Sequence, residues 1–368
     1  MAINRKQFLK NLTLGAGAVA MASCNPEKGA IKNTAIDTTK KYTWKMVTTW
    51  PGNFPVIGEA CHIFAKEVNE MSAGQMTIKV YGGGELIPAL EVFDAVSGGA
   101  AEIGHGASYY WAGKSPAAQF FTSVPFGMNA QQVNAWMYYG GGLELWREVY
   151  AKFGLLPLPG GNTGVQMGGW FNREINTIED FKGLKMRMPG LGGKVLEKVG
   201  GTAVLSAASE IYTNLERGVI DASEWIGPHH DYAMGFQEIA KYYYAPGWQE
   251  PGSNLEFIFN KRAFEALPKN LQTIMEVAAT KSNILVLSEF EAKNNEALQK
   301  IIADKRTEVR IFSPEILSTL KEKSIETLEE IAKGDPISAK VYEAYKTFQK
   351  NIGAWAVYSE KLYYDRMM

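Results

Sequence analysis

Hydrophobic and polar residues follow two spacings that alternate along the first part of the chain. Tyr42–Thr49 and Met76–Tyr81 alternate apolar and polar residues, as strands with one buried face do. Pro55–Met71 and Pro88–Ser97 repeat apolar residues at helical spacing and end close to glycines. Glu102–Gly106 predicts a further short strand. Because strands and helices alternate, the sequence predicts an α/β protein with largely parallel sheets, in which ligands bind beyond the carboxyl ends of the strands.

A similar arrangement recurs in the two halves of the chain. In each half, a helix and a glycine precede a short segment that ends in aromatic residues. Residues 100–105 lead to Tyr109-Tyr110-Trp111, and residues 219–224 lead to Trp225. Two lobes that present such tips to each other would form a binding cleft between them.

The last part of the chain is predicted to be mostly helical. Ser313-Pro314-Glu315 is typical of a helix start, and Gly334-Asp335-Pro336 is typical of a helix end. Residues 337–368 predict one long helix with an unbroken apolar seam at steps of three and four: Val341, Tyr345, Phe348, Ile352, Trp355, Ser359 and Leu362. Such a seam needs a partner surface. That surface is either the rest of the same chain or a second subunit with which the helix is exchanged.

Residues 1–23 are predicted to be a signal peptide of the lipoprotein type. Three basic residues and no acidic one precede a short apolar run, which falls below the roughly 20 apolar residues of a transmembrane helix. Met21-Ala22-Ser23-Cys24 resembles a lipoprotein processing site, and a plain signal with an incidental cysteine is the alternative. Residues 24–41 are polar and predict a tether. We therefore expect a periplasmic or extracytoplasmic protein, anchored to the membrane by a lipid on Cys24.

The composition excludes several classes of protein. The chain has 38 Lys and Arg against 39 Asp and Glu, and removing the three basic residues of the signal leaves 35 against 39, a net charge of −4. No excess of basic residues is therefore available to bind a nucleic acid. Two cysteines are too few for a disulfide framework or a cysteine-rich zinc site. Cys61 lies in an apolar helical pattern, which predicts a buried, inert thiol.

Four polar side chains stand near predicted strands. Arg187 closes an alternating segment that ends at Pro189-Gly190, so it would stand at the carboxyl end of a strand and could hold a carboxylate with two hydrogen bonds. Gln166 begins another candidate strand, and Glu224 and Glu250 each lie close to a tryptophan. Carboxylate, amide and main-chain oxygens are the ligand set of Na⁺ or Ca²⁺. Taken alone, each of these four residues is more typical of a solvated or ordinary core position.

Motifs of the common catalytic classes are absent from the sequence. His229 and His230 are adjacent and would point in different directions, and no His-x-x-x-His, Cys-x-x-Cys, Gly-x-Ser-x-Gly or phosphate-binding loop occurs. An exported metal-dependent hydrolase or lyase, acting on a small carboxylate with Glu224 or Glu250 as the base, is the alternative function. A lobe that presents a ligand to a membrane sensor would use the same site.

Two segments resemble the DctP-type substrate-binding proteins of TRAP (tripartite ATP-independent periplasmic) transporters. They are Ile178–Arg187 and Glu210–Ala222, and the likeness runs over nearly all of residues 42–335. Ser108-Tyr109-Tyr110, Gln166, Glu224-Trp225 and the long C-terminal helix resemble, more narrowly, the branch that binds 2-oxo acids or lactate with a metal ion.

The resemblance implies a two-lobed periplasmic binding protein fold with a hinge and a long C-terminal helix. We expect lobe I over residues 42–164 plus 251–290, lobe II over 165–250 plus 291–336, and a C-terminal dimerisation helix over 337–368. The partners implied are a small monocarboxylate ligand, the TRAP membrane subunits and a second copy of the chain. The lobes would close around the ligand without any bond being made or broken, so we do not expect an enzyme.

The resemblance also implies roles for individual residues. The residues it implies for substrate are Tyr109, Tyr110, Trp111, Gln166, Arg187 and Glu224, and those for the metal are Gln166, Glu224 and the main-chain carbonyl of Trp225. Position 250 varies within this branch, and we expect Glu250 to contribute to both sets. Arg187 would pair with the substrate carboxylate, and the three aromatic residues would close the pocket. Trp50, Phe126 and Asn162 are candidates for the rest of the wall.

The charge of this site favours a divalent cation. Glu224, Glu250 and a substrate carboxylate carry three negative charges, which Arg187 and Ca²⁺ would balance. With Na⁺ the site would keep one negative charge, which is costly to bury. We therefore expect Ca²⁺, with Na⁺ possible. We also expect Arg187→Ala to abolish carboxylate binding with little change in thermal stability.

Overall fold

A computed structural model describes residues 39–368 of the chain. The predicted signal over residues 1–23, Cys24 and the tether up to residue 38 lie outside the described residues. The strands of the described chain are β1 Tyr42–Thr48, β2 Met76–Tyr81, β3 Ile103–Gly106, β4 Leu155–Asn162, β5 Gly169–Phe171, β6 Lys185–Arg187, β7 Thr202–Val204, β8 Ala222–Ser223, β9 Tyr242–Ala245, β10 Asn254–Asn260 and β11 Glu308–Ile311.

The helices of the same residues vary from five to 36 residues in length. They are α1 Ile57–Met71, α2 Val92–Ser97, α3 Ala130–Tyr139, α4 Gly142–Ala151, α5 Gly190–Lys198, α6 Ala208–Glu216, α7 Pro228–Ala233, α8 Lys261–Glu265, α9 Lys269–Asp304, α10 Pro314–Gly334, α11 Pro336–Ala356 and α12 Glu360–Met367. Within residues 39–368, no helix combines the length and the apolar character that a membrane span requires.

The early elements confirm the predicted alternation of strands and helices. Strand β2 has the predicted bounds, and β1, α1 and β3 begin or end within two residues of the prediction. The predicted helix over Pro88–Ser97 is instead a 3₁₀ turn, Ala89–Glu91, followed by α2. In the C-terminal part, the Ser313 hydroxyl accepts a hydrogen bond from the Ile316 N–H at 3.3 Å, which confirms the predicted cap of α10.

The strands form two mixed sheets. The first has the order β2-β1-β3-β10-β4, and only β10 runs antiparallel to its neighbours. The second has the order β11-β9-β5-β8-β6-β7, and only β5 runs antiparallel to its neighbours. The prediction of largely parallel sheets is therefore confirmed, with one antiparallel strand in each sheet that the sequence did not predict. The chain crosses between sheets at the carboxyl edges of β4 and β9, so β5 and β10 start at the edge where their neighbours end.

Two short connections cross between the sheets side by side. Residues 163–168 lead from β4 to β5, and residues 246–253 lead from β9 back to β10. The Gln166 N–H donates to the Glu250 carbonyl at 3.1 Å, and the Gly247 N–H donates to the Gln166 carbonyl at 2.8 Å. Helix α9 is a third connection, from the β10 side of the first sheet to β11 of the second. Two of the predicted lobe boundaries fall within the paired connections, and the boundary at residue 290 falls inside the continuous helix α9.

The C-terminal helix packs on its own chain over its first half. Val341 and Tyr345 of α11 are buried, and the Tyr345 hydroxyl accepts a hydrogen bond from the Met128 N–H at 2.8 Å. The prediction of a long C-terminal helix is confirmed over Pro336–Ala356, but its unbroken continuation is wrong, because residues 357–359 separate α11 from α12. Beyond Ile352 the apolar seam is largely exposed, with Trp355 at 64%.

Candidate functional site

Arg187 stands at the carboxyl end of strand β6, as the sequence predicts. Lys185 is exposed, whereas Met186 and Arg187 are both buried, so burial does not alternate along the strand. Arg187 is only 1% exposed although its position in the alternation matches that of the exposed Lys185. A guanidinium removed from water to this degree requires partners for its charge and its N–H groups.

Those partners come from both sheets. One terminal nitrogen, Nη1, contacts the Glu224 carboxylate and donates to the Glu224 carbonyl at 3.3 Å. The other, Nη2, donates to the Tyr110 hydroxyl at 3.2 Å, and the guanidinium carbon lies 5.0 Å from the centre of the Trp225 ring. Burial by itself lowers the pKa of Arg187. The negative charge of Glu224, followed by Tyr110, Tyr109 and Glu250, raises the pKa above its ordinary value. Arg187 is thus held as a cation at the contact between the sheets.

Glu224 follows β8 directly and is fully buried. Its main-chain N–H donates to the Arg187 carbonyl at 3.1 Å, so the pairing of β6 and β8 sets the two side chains beside each other. Burial raises the pKa of Glu224 well above its ordinary value, Arg187 offsets part of that rise, and Glu250 and Asp231 add to it. The second carboxylate oxygen, Oε2, has no hydrogen-bond partner among the described residues.

Gln166 and Glu250 meet across the paired connections between the sheets. The Gln166 amide donates to Glu250 Oε2 at 2.8 Å and to the Thr163 hydroxyl at 3.1 Å, while the Ser253 hydroxyl donates to the same Glu250 oxygen. Burial raises the pKa of Glu250 to about 7, against the lowering effects of Ser253, Arg187 and Gln166. The predicted strand at Gln166 begins only at Gly169, so Gln166 lies in a connection and not in a strand.

The aromatic residues after β3 do not all face this group. Tyr109 and Tyr110 lie with ring centres 4.8 Å apart, and burial, then Glu250, Tyr110 and Glu224, raise the pKa of Tyr109 well above its ordinary value. The Trp111 indole instead donates to Glu256 Oε1 at 2.5 Å, in the interior of the first sheet's side. Three successive residues of a 3₁₀ turn point about 120° apart, so they cannot share one face. The structure therefore places Trp111 away from the other predicted site residues.

Of the three residues predicted to complete the pocket wall, only some lie beside the site. The Trp50 ring centre lies 6.4 Å from that of Tyr110 and 6.3 Å from that of Trp225, so Trp50 belongs with the site. Phe126 stacks on Trp248 at 5.9 Å on the second sheet's side. Asn162 accepts from the Gly164 N–H at 2.9 Å and so shapes the connection that carries Gln166.

The donor set fits a cation that prefers oxygen ligands. Glu224 Oε2 and the Gln166 amide oxygen are both buried and lack a hydrogen-bond partner within the described chain. Such orphaned oxygens are costly unless something fills their coordination. Across residues 39–368, no three His, Cys, Asp or Glu side chains converge as a metal cluster, so a cation here would depend on the amide and a main-chain oxygen besides the two carboxylates.

Sequence reasoning missed the groups that support these residues. Thr163 and Ser253, which bond to Gln166 and Glu250, lie in loops with no motif. Asp231 accepts from the Trp170 indole at 2.9 Å and from the Tyr243 hydroxyl at 2.8 Å, a contact that no local pattern indicates. The one feature of the sequence that could have indicated Ser253 is its position three residues after Glu250.

Comparison with known proteins identifies the family of the chain. Residues 46–335 match the family model DctP, described as bacterial extracellular solute-binding protein, family 7. The chain is 41% identical over 361 residues to a monocarboxylate 2-oxoacid-binding periplasmic protein of Nostoc sp., with 98% of both chains covered.

Two solved structures of TRAP periplasmic solute-binding proteins are similar over 89% of this chain and 99% of each of theirs. The protein from Pseudoalteromonas atlantica T6c, with bound sodium and pyruvate, is 44% identical with a TM-score of 0.87. The protein from Colwellia psychrerythraea, with bound calcium and pyruvate, is 44% identical with a TM-score of 0.86.

Proposed function

The chain belongs to the DctP family of bacterial extracellular solute-binding proteins, and from this premise we propose that it captures a small monocarboxylate, either a 2-oxo acid such as pyruvate or lactate. The two-lobed α/β fold expected from the sequence is that of its structural relatives. The observation that carries the ligand proposal is the buried guanidinium of Arg187, whose Nε is left without a partner among the described residues. A 2-oxo acid brings a carboxylate and an adjacent oxygen, which such a group and a cation can share.

Each residue of the site has a role in this proposal. Arg187 holds the ligand carboxylate with its N–H groups, because a guanidinium matches a carboxylate in shape and charge. Tyr109 and Tyr110 supply hydroxyl donors and, with Trp50, exclude water. Trp111 is left out of the ligand contacts, because its indole is bound to Glu256. Its role is to hold the turn that carries Tyr109 and Tyr110.

Gln166, Glu224, Glu250 and the main-chain carbonyl of Trp225 would hold the cation. The cation supplies positive charge to the ligand's carboxylate and 2-oxo or 2-hydroxy oxygen. We propose Ca²⁺ ahead of Na⁺, because two buried carboxylates and the ligand carboxylate are balanced only by Arg187 and a divalent ion. One relative carries sodium and one carries calcium, so this preference rests on the charge of Glu250 and Glu224 alone. Metal analysis of the purified protein tests it, and recovery of no calcium would count against it.

Ligand capture would close the lobes around the site. The lobe division proposed is residues 42–164 plus 251–290 for lobe I and 165–250 plus 291–336 for lobe II. It is supported by the two sheets, which within residues 39–368 are joined by two short connections and α9. Gln166 and Glu250 lie in those connections, so a cation bound there would tie the hinge to the ligand.

The captured ligand would be delivered to the TRAP membrane subunits, and we propose that a lipid on Cys24 holds the protein at the membrane. The support is the signal-like segment over residues 1–23, which ends at a lipoprotein-like processing site. Membrane fractionation of cells that express the full chain and Cys24→Ser tests the anchor. The anchored protein should fractionate with membranes and the variant should not.

A homodimer through residues 337–368 is proposed on the exposed apolar residues of that segment. Trp355, Tyr358 and Leu362 are 64%, 77% and 48% exposed, and they lie close together in the sequence. Large exposed apolar patches mark association surfaces. Sedimentation of the full chain should give a dimer, and Trp355→Ser with Leu362→Ser should give a monomer of unchanged stability. A monomeric parent chain would contradict the proposal.

The site is proposed as a binding site and not as a catalytic one. The candidate bases of the alternative hydrolase or lyase both have binding partners in this site: Glu224 pairs with Arg187, and Glu250 accepts from Gln166 and Ser253. A thermal-shift screen of small monocarboxylates with and without Ca²⁺ tests the function. Stabilisation by pyruvate or lactate, with the ligand recovered intact, supports capture; steady turnover, or no response to any monocarboxylate, would contradict it.

A further inference from the structure

A strained turn faces the site from the first sheet's side, between β1 and α1. Val56 has φ 56° and ψ −76°, and the Ile57 N–H donates to the Pro55 carbonyl at 2.6 Å. This is the rare form of γ-turn, which a β-branched residue adopts only when its surroundings hold it. Val56 is buried, so residues from other segments surround the turn.

The group that holds it is His230, from helix α7 on the second sheet's side. His230 Nε2 lies 2.7 Å from the Pro55 carbonyl, and the Trp225 indole N–H donates to His230 Nδ1 at 3.0 Å. A carbonyl can only accept and an indole N–H can only donate, so the ring is neutral with its proton on Nε2. Burial, which lowers the pKa of His230 to about 4, keeps it neutral at physiological pH.

This contact joins the two sides of the cleft. Pro55 and His230 are 175 positions apart, and the imidazole is fully buried, with the Phe54 ring centre at 4.6 Å and the Phe290 ring centre at 5.2 Å. The other nitrogen of the imidazole binds Trp225, whose ring packs against the Arg187 guanidinium. The polar chain Pro55–His230–Trp225 therefore runs from the first sheet's side to the floor of the ligand site.

We propose that His230 is a positioning residue that latches the lobes shut: its Nε2–H holds the Pro55 carbonyl only when the lobes are closed, while its Nδ1 fixes the Trp225 ring beside Arg187. This rests on the proposed function, because the closed form is the one that retains the ligand. Opening the cleft would separate His230 from Pro55 and release the strained turn at Val56. Loss of the latch should therefore speed ligand release and leave ligand entry unchanged.

Two substitutions separate the two bonds of His230. The side-chain nitrogen of glutamine can take the place of Nε2, so His230→Gln keeps a donor for Pro55. The amide oxygen of asparagine can take the place of Nδ1, so His230→Asn keeps the acceptor for Trp225 but is too short to reach Pro55. Both variants lose the ring and its packing. The Asn variant loses only the Pro55 bond and the Gln variant only the Trp225 bond, so faster release in the Asn variant reports the Pro55 bond. His229→Asn, one residue earlier and half-exposed, is the matched control.

The experiment is stopped-flow pyruvate binding and release in saturating Ca²⁺, followed by tryptophan fluorescence. The release rate should rise about tenfold in His230→Asn, the loss expected for a buried hydrogen bond left unmade. The entry rate should stay unchanged, and His230→Gln and His229→Asn should stay within about threefold of the parent chain. Equal release rates for the Asn and Gln variants, or an Asn variant that behaves as the parent, would overturn the latch.

A readout that needs no ligand separates this proposal from the proposed function. If the parent chain does not bind pyruvate with either cation, the proposed ligand fails. Hydrogen exchange of the Ile57 amide, whose acceptor is the Pro55 carbonyl, then judges the latch alone, because the closed form in which His230 reaches Pro55 is also populated without ligand. Faster exchange in His230→Asn than in His230→Gln supports the latch, and equal exchange refutes it.

Discussion

Glu256, a buried carboxyl next to the site, allows a quantitative test of how burial of an ionisable group changes stability with pH. It is fully buried on β10, where Oε1 accepts from the Trp111 indole at 2.5 Å and Oε2 pairs with the Tyr150 hydroxyl at 2.9 Å. Burial raises the pKa of Glu256 to about 8, although the bonds to Trp111 and Tyr150 lower it. The Glu256→Gln variant keeps an oxygen for Trp111 and gains an N–H for Tyr150 but cannot ionise.

The pH dependence of stability can be calculated from the pKa of Glu256 in the folded and the unfolded chain. The ordinary pKa of a glutamate is about 4.3, so between pH 4.3 and pH 8 the folded chain binds a proton that the unfolded chain releases. Stability of the parent chain therefore falls as pH rises, by about 1.4 kcal/mol per unit for this group. At pH 7, about 2.7 units above the ordinary value, the cost reaches about 3.7 kcal/mol, against about 1 kcal/mol at pH 5. The glutamine variant escapes this cost.

Urea unfolding of the parent chain and Glu256→Gln at pH 5, 6 and 7 measures this difference. The free energy of unfolding of the variant should gain on that of the parent by about 2.7 kcal/mol between pH 5 and pH 7. Glu216→Gln, at an exposed position, should show no such gain and serves as the control. Parallel pH profiles for Glu256→Gln and the parent chain would refute the reasoning. Pyruvate binding should survive in the variant, because the turn carrying Tyr109 and Tyr110 keeps its anchor.

Three further tests address Tyr110, the ion pair of Arg187 with Glu224, and Cys61. Tyr110→Phe removes the hydroxyl that bonds to Arg187 and should weaken pyruvate binding about tenfold in calorimetry with unchanged unfolding; unchanged affinity would exclude this contact from binding. Arg187→Met should abolish binding and, contrary to the expectation from sequence, destabilise the fold by about 3–5 kcal/mol, because it leaves Glu224 buried without its partner. Adding Glu224→Gln should recover most of that stability in urea unfolding, and no recovery would contradict the pairing. In a Cys24→Ser chain, Cys61 should resist a thiol reagent until urea is added, since the thiol is fully buried and burial raises its pKa; rapid reaction of the folded chain would contradict this.

The local patterns of the sequence predicted the positions of strands and helices better than the direction of each strand in its sheet. Hydrophobic spacing placed β1, β2 and α1 within two residues, because each has one buried face that repeats along the chain. The antiparallel β5 and β10 were missed, since strand direction depends on where the chain crosses between sheets and leaves no trace in alternation. The break at residues 357–359 was missed because the apolar spacing of the seam continues through it.

Site prediction succeeded where strand ends and residue type coincide and failed where contacts are distant. Arg187 and Glu224 lie at the ends of paired strands, so their meeting follows from the sheet. Trp111 was grouped with its neighbours, although a 3₁₀ turn directs it elsewhere. The role of His230 had no local signal, because its partner Pro55 lies on the other side of the cleft.

The most direct test of the proposed function is calorimetric titration of the exported chain with pyruvate in three buffers: one with Ca²⁺, one with Na⁺ alone, and one with chelator and neither ion. We expect binding in Ca²⁺, weaker binding in Na⁺ alone, and none when both ions are removed, since Glu224 and Glu250 would then face the ligand carboxylate without a bridging cation. Equal affinity in all three buffers, or no binding in any, would contradict it.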